Sequence, residues 1–120
     1  LPLQKELNRM ERQIIYSTEY LEFVNGQNKR VQEKLMYATQ VLQTLLPIPI
    51  KFVKKIVNSD FYELRVSVDN EIRVIIFSLD NENINLATKV ILLNGFIKKD
   101  KGDYKKELIK AINIIKKLLS

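Results

Sequence analysis

The sequence predicts a single α+β domain, in which an N-terminal strand and a helical hairpin pack on a small antiparallel sheet and a C-terminal helix follows. Three stretches with different hydrophobic spacing predict this class. Apolar residues recur at helical spacing up to residue 46, alternate with polar residues from residue 62, and return to helical spacing after residue 103. A chain of 120 residues is long enough to bury one hydrophobic core without disulfides or metals.

The first half of the chain is expected to form a strand and two helices. Residues 12–16 are a short strand with an apolar centre, and Ser17 or Thr18 can cap a helix that ends at Asn25-Gly26. A second helix is predicted over residues 28–46, because the prolines at 47 and 49 cannot continue it. Its apolar residues form one stripe, which consists of Val31, Leu35, Ala38, Leu42 and Leu45.

The second half is expected to form three antiparallel strands and a helix. Strands are predicted over residues 62–68, 72–79 and 89–97, with turns at 69–70 and 80–83. Asp103 is the expected N-cap of the last helix. The apolar stripe of that helix is predicted to consist of Leu108, Ala111, Ile112, Ile115 and Leu118.

Pairing within the first hairpin decides which residues share a face of the sheet. A three-residue loop that pairs Val68 with Ile72 gives one apolar face, which consists of Leu64, Val66, Val68, Ile72, Val74 and Ile76. Arg65 and Arg73 then lie together on the other face, which we expect to be open. In the alternative interpretation, Arg65 pairs with Glu63 or another acid and only covers the sheet.

Composition limits the possible chemistry. The chain has no cysteine and no histidine, which excludes disulfides, thiolate metal sites and nucleophiles activated by histidine. The acids have no metal-ligand spacing, so we expect neither a metal nor another cofactor. Any catalysis must use Lys, Arg, Tyr, Asp or Glu.

Positive charge is concentrated at the C-terminal end. Residues 89–120 contain nine lysines and three acids, which accounts for the whole formal charge of +6. A local basic excess indicates a polyanionic partner or an acidic protein surface. A solvated, lysine-rich helix face is the alternative.

Residues 1–9 precede Met10 and are expected to be an expression remnant or an N-terminal extension, with the domain itself formed by residues 10–120. No signal peptide is visible, and no apolar run is long enough to span a bilayer. We therefore expect a cytoplasmic protein that does not enter a membrane.

Three motifs resemble the RelE/ParE toxin superfamily, and in particular its HigB-like branch. They are FYELR at residues 61–65, RVIIF at 73–77, and ILLNGFIKK at 91–99 before a basic helix. The resemblance extends from residue 10 to about 118. The sequence departs from the family where Asp100 and Asp103-Tyr104 replace the usual threonine and Thr-Pro, and where the loop over residues 80–88 is longer.

The resemblance implies the toxin of a type II toxin–antitoxin system, an mRNA interferase that cuts mRNA on the ribosome and is inhibited by an antitoxin, expected to be of the helix-turn-helix type. Such an endoribonuclease can work without histidine or a metal, because RNA supplies its own 2′-hydroxyl nucleophile. Arg65 and Arg73 are then expected to clamp the phosphate. Lys98 or Lys99 is the candidate for proton transfer. RNA contacts are expected from Lys101, Tyr104 and Lys105.

Three alternatives stay open. A ParE-like gyrase inhibitor would share the fold without nuclease chemistry. A non-enzymatic nucleic-acid-binding module would use the same basic face. A degenerate toxin would keep only antitoxin binding, and the sequence fixes no oligomeric state.

Overall fold

The computed structural model of the chain describes residues 11–120. The expectation for residues 1–9 therefore lies outside the described residues. One five-stranded mixed sheet, in the order β1-β5-β4-β3-β2, lies between two helices on one face and one helix on the other. The elements are β1 (Gln13–Tyr16), α1 (Thr18–Asn25), α2 (Lys29–Thr44), β2 (Val53–Lys55), β3 (Tyr62–Val68), β4 (Asn70–Ser78), β5 (Lys89–Ile97) and α3 (Gly102–Leu119).

The predicted α+β class is confirmed, and the sheet differs from the prediction in two respects. Strand β1 pairs in parallel with β5, from Gln13 opposite Lys89 to Tyr16 opposite Leu92, so the sheet is mixed and not antiparallel throughout. Short β2 adds an antiparallel edge to β3. Spacing alone does not predict either feature, because alternation within a strand carries no information about the direction of its neighbour.

The helical hairpin follows the sequence prediction closely. The Ser17 hydroxyl accepts a hydrogen bond from the Tyr20 amide, and the Asn28 side chain accepts one from the Val31 amide, so both helices begin with a side-chain cap. Four residues of the predicted stripe of α2 are buried against the sheet, namely Val31, Leu35, Ala38 and Leu42. Leu45 lies beyond the end of the helix and is 38% exposed.

The predicted register of the β3–β4 hairpin is wrong, but its face assignment is right. Val68 lies opposite Asn70 and not Ile72, because Asp69 alone makes the turn with a positive φ of 60°. The shift is an even number of residues, so every side chain keeps its face. Arg65 lies directly opposite Arg73, on the face away from α2.

Helix α3 covers the face that carries the arginines. Ala111 and Ile114 pack on Ile75 and Leu93, so this face is not open along its whole length as expected. The helix begins at Gly102, and Asp103 lies inside its first turn. Two members of the predicted stripe, Ile112 and Leu118, are exposed instead, since the buried face of the helix is centred on Glu107, Ala111 and Ile114.

Although α3 has 18 residues, neither it nor any other helix within residues 11–120 combines the length and apolarity needed to cross a membrane.

An irregularity in β5 ties the sheet to helices on both faces. The β4–β5 register shifts between Val74 and Ile76, next to Asn94-Gly95. The side-chain amide nitrogen of Asn94 donates to the backbone carbonyl and to the carboxylate of Glu107 in α3, each at 3.1 Å. Gly95 faces α1 on the other side. The end of β5 is thereby held between two helices.

We predict that Gly95→Ala lowers the free energy of unfolding by about 1–3 kcal/mol, the usual cost of overpacking a core. A β-carbon at this position would lie 2.4 Å from the Phe23 ring, which must move to admit it. Denaturant unfolding measures the change. Gly26→Ala is the matched control, since its nearest contact would be at 3.5 Å, and an equal loss in both variants would contradict this explanation.

Candidate functional site

Three strands bring the basic residues together at one end of the sheet. Phe96 of β5 lies opposite Arg73 of β4, which in turn lies opposite Arg65 of β3. Lys98 follows β5 immediately, and its amide donates to the Glu71 carbonyl at 2.8 Å. The backbone therefore fixes the start of the Lys98 side chain beside the two arginines.

A groove of about 580 Å³ opens at this place, and we call it the basic groove. Strand β2 and the residues after it form one wall, and the start of α3 forms the other. Five cations and one acid are among its lining residues, which are Lys54, Lys55, Ile56, Val57, Glu63, Arg65, Lys98, Lys101, Tyr104 and Leu108. The excess of positive charge makes the groove suitable for an anion.

The two arginines differ in what they can reach. The Arg65 side chain is 31% exposed and its Nε lies 3.5 Å from Oε1 of Glu63. The Arg73 side chain is only 2% exposed, with Nε 3.8 Å from the same oxygen and a terminal nitrogen 3.7 Å from the Glu71 carboxylate. Arg65 can therefore contact a ligand in the groove, whereas Arg73 lies beneath it.

Glu63 was not singled out as a site residue from the sequence. Its carboxylate is buried between the two arginines, and its Oε2 has no hydrogen-bond partner among residues 11–120. The alternation of the FYELR motif places residues 63 and 65 on one face, and this could have identified Glu63 as a neighbour of the arginines. The ion pair between Glu63 and Arg65 exists, and Arg65 still lines the groove.

Tyr104 lies at the α3 side of the groove. Its ring packs edge-on against Phe96, with centroids 5.6 Å apart, and the Lys98 amine lies 5.6 Å from its centroid. Burial raises the pKa of the Tyr104 hydroxyl, and the Glu63 carboxylate raises it further, while Arg73 lowers it. The phenol is therefore protonated at neutral pH and can donate a hydrogen bond.

Not all of the predicted site residues line the groove. Lys98, Lys101 and Tyr104 do, but Lys99 and Lys105 are exposed residues outside its lining. The amide of Lys99 donates to the Asp103 carboxylate at 2.7 Å, and the amide of Asp100 donates to it at 3.0 Å. These bonds lower the pKa of Asp103, which stays ionised and holds the turn between β5 and α3.

Taken together, these groups can bind a phosphodiester. Arg65, Lys98 and Lys101 supply positive charge, Tyr104 supplies a neutral donor, and Glu63 supplies a carboxylate that can accept a proton. Within residues 11–120, the acids form no cluster that could hold a metal ion.

Comparison with known proteins gives one match. The model of a family described as "Phage derived protein Gp49-like (DUF891)" matches residues 22–116. This span runs from α1 into the last turn of α3 and includes every residue that lines the basic groove. No curated protein matches the chain.

Proposed function

The chain belongs to the Gp49-like family of phage-derived proteins, a RelE/ParE-like family of toxins from toxin–antitoxin systems, and from this premise we propose that it is a ribosome-dependent mRNA endoribonuclease. The basic groove carries the proposal, because it combines a partly exposed arginine, two lysines and a buried carboxylate at one place. The Gly-Phe and Lys-Lys pairs over residues 95–99 support the HigB-like branch of the superfamily.

Cleavage requires the 2′-oxygen of one nucleotide to attack its own 3′-phosphorus. A P–O2′ bond forms, the P–O5′ bond breaks, and the products are a 2′,3′-cyclic phosphate and a free 5′-hydroxyl. One protein group must take the proton from the 2′-hydroxyl, and another must give a proton to the 5′-oxygen. A third must balance the negative charge that grows on the phosphorane.

The groove offers one residue for each task. Arg65 holds the phosphate, since its planar guanidinium suits two phosphate oxygens and is partly exposed. The Glu63 carboxylate, which lines the groove, takes the 2′-proton. The Lys98 ammonium gives a proton to the leaving 5′-oxygen. Arg73 positions Glu63 from below and does not itself reach the phosphate.

The remaining predicted site residues bind RNA without taking part in the reaction. Lys101 and Tyr104 contact the strand at the mouth of the groove, opposite Lys54 and Lys55. Lys105 lies on the adjoining exposed turn of α3 and extends the basic surface. Lys99 adds attraction outside the groove.

A toxin–antitoxin family implies an antitoxin partner. We propose a helix-turn-helix antitoxin with an acidic segment that covers the basic groove, since the groove carries five cations and one acid. The targets are mRNA and the ribosome, so the toxin acts in the cytoplasm.

A reconstituted translation system tests the proposal. Addition of the protein is expected to stop synthesis and to produce new 5′-hydroxyl ends within the translated message, while the same RNA without ribosomes is cut much more slowly, because the ribosome supplies part of the positioning. Arrest with intact mRNA would contradict nuclease action. Inhibition of gyrase supercoiling in place of arrest would identify a ParE-like inhibitor.

A further inference from the structure

A second cavity adjoins the basic groove on the other side of Arg65. It has a volume of about 510 Å³, and we call it the aromatic pocket. Lys34 and Tyr37 of α2 line one side, and Lys51 and Phe52 line the other. Arg65 lines both cavities, so the two are neighbours on the surface.

Tyr37 is the aromatic residue of this pocket that is most available to a ligand, since Phe52 is partly buried against the core. Tyr37 is 57% exposed, although a large aromatic side chain is normally buried in a core. Its ring centroid lies 5.9 Å from that of Phe52, at an interplanar angle of 60°. The exposed ring of Tyr37 provides a flat apolar face against which a nucleobase can stack, and the tilted Phe52 ring can contact the edge of that base.

The charges of the pocket fit a phosphate backbone. Its lining includes three accessible cations, Lys34, Lys51 and Arg65, together with the buried Arg73 and one acid. Neither Lys34 nor Lys51 forms an ion pair with another residue of the described part of the chain, and the Lys51 amine lies 5.2 Å from the centre of the Phe52 ring. Glu71, the single acid, accepts a hydrogen bond from Ser67 and faces Arg73, so its charge is compensated.

We propose that the aromatic pocket binds one nucleotide of single-stranded RNA next to the phosphate held by Arg65. The base stacks on Tyr37 with the Phe52 ring against its edge, and its phosphate lies between Lys34 and Lys51. This inference rests on the proposed function, because it takes the strand in the basic groove to be RNA. An acidic protein segment would be attracted by the same lysines but would leave the exposed Tyr37 ring without a planar partner.

Binding of a short RNA tests the subsite without cleavage. The probe is a six-nucleotide RNA with 2′-O-methyl groups, which removes the nucleophile, labelled with fluorescein and titrated with the whole chain at low salt. Tyr37→Ala is expected to weaken binding by about tenfold or more, the effect of losing one base–aromatic stack, and Tyr37→Phe is expected to restore it. Met36→Ala is the matched control, because Met36 is 64% exposed on the same helix and does not line the pocket.

Two further results would overturn the inference. One is equal RNA affinity in the wild type, Tyr37→Ala and Met36→Ala. The other is a six-residue glutamate peptide that shifts the NMR signals of the Tyr37 and Phe52 rings when the RNA does not. Both results concern binding and do not depend on cleavage. The reaction itself is tested separately by the mapping of mRNA ends. RNA that binds through Tyr37 without any cut message would support the subsite and contradict only the nuclease.

Discussion

Lys98→Ala and Arg65→Ala are each expected to lower the rate of mRNA cleavage on the ribosome by about 100-fold or more, while the protein stays folded. Both side chains line the basic groove and are partly exposed, so neither change removes a buried apolar contact. The large effect follows because each charge acts on the transition state and not only on the bound strand. Single-turnover cleavage of a translated message measures it, with circular dichroism as the check on folding.

A conservative variant and a charge-matched control separate catalysis from attraction. Arg65→Lys keeps the charge but loses the planar fork, so it is expected to recover only part of the rate. Lys116→Ala removes one positive charge from an exposed position on α3 outside the groove and is expected to leave the rate unchanged.

Lys99→Ala helps to assign the proton-transfer residue. Lys99 lies outside the lining of the groove, so its removal is expected to change the slope of log K for RNA binding against log salt concentration by about 0.7, as for one phosphate contact, and to leave the chemical step unchanged.

Full cleavage activity in the Lys98 and Arg65 variants would mean that these cations only form a solvated end of the sheet.

The sequence was sufficient for every element of the fold except β2, and for the face on which the arginines lie. Helical spacing located α1 and α2, and the Ser17 cap of α1 was among the predicted caps. Alternation placed residues 65 and 73 on one face despite an error in the register. A register shift of two residues leaves every side chain on the same face of the sheet, so the face was predictable although the pairing was not.

The depth of the site could not be predicted from the sequence. The burial of Arg73 depends on where α3 packs, and the stripe of that helix contains more apolar residues than the sheet covers. Tyr37 and Phe52 come together only because the chain after Pro49 returns beside α2.

The contacts of Arg12 also join residues that are far apart in the sequence. Its guanidinium is fully buried and donates to the carbonyls of Leu42, Leu45, Asn85 and Ala87.

Arg73 is more deeply buried than its position in the RVIIF motif suggested. The sequence predicted that Arg73 is a second phosphate clamp, but its guanidinium is buried and faces Glu63 and Glu71. A buried charge that loses its partner is costly, whereas a pair replaced by apolar or neutral groups is often tolerated. Stability measurements can therefore distinguish a structural arginine from one that binds substrate.

Arg73→Met is accordingly expected to lower the free energy of unfolding by about 3 kcal/mol, because Glu63 stays buried with Arg65 as its remaining cation. Adding Glu63→Gln should restore part of that loss, since the carboxylate charge is then gone. Urea unfolding of the two single variants and the double variant gives the coupling energy. Arg30→Ala is the matched control, because its ion pair with Asp69 is exposed and should contribute less than about 1 kcal/mol. If Arg73→Met instead kept the stability of the wild type and abolished cleavage, Arg73 would act on the phosphate directly and the buried pair would not be what holds Glu63 in place.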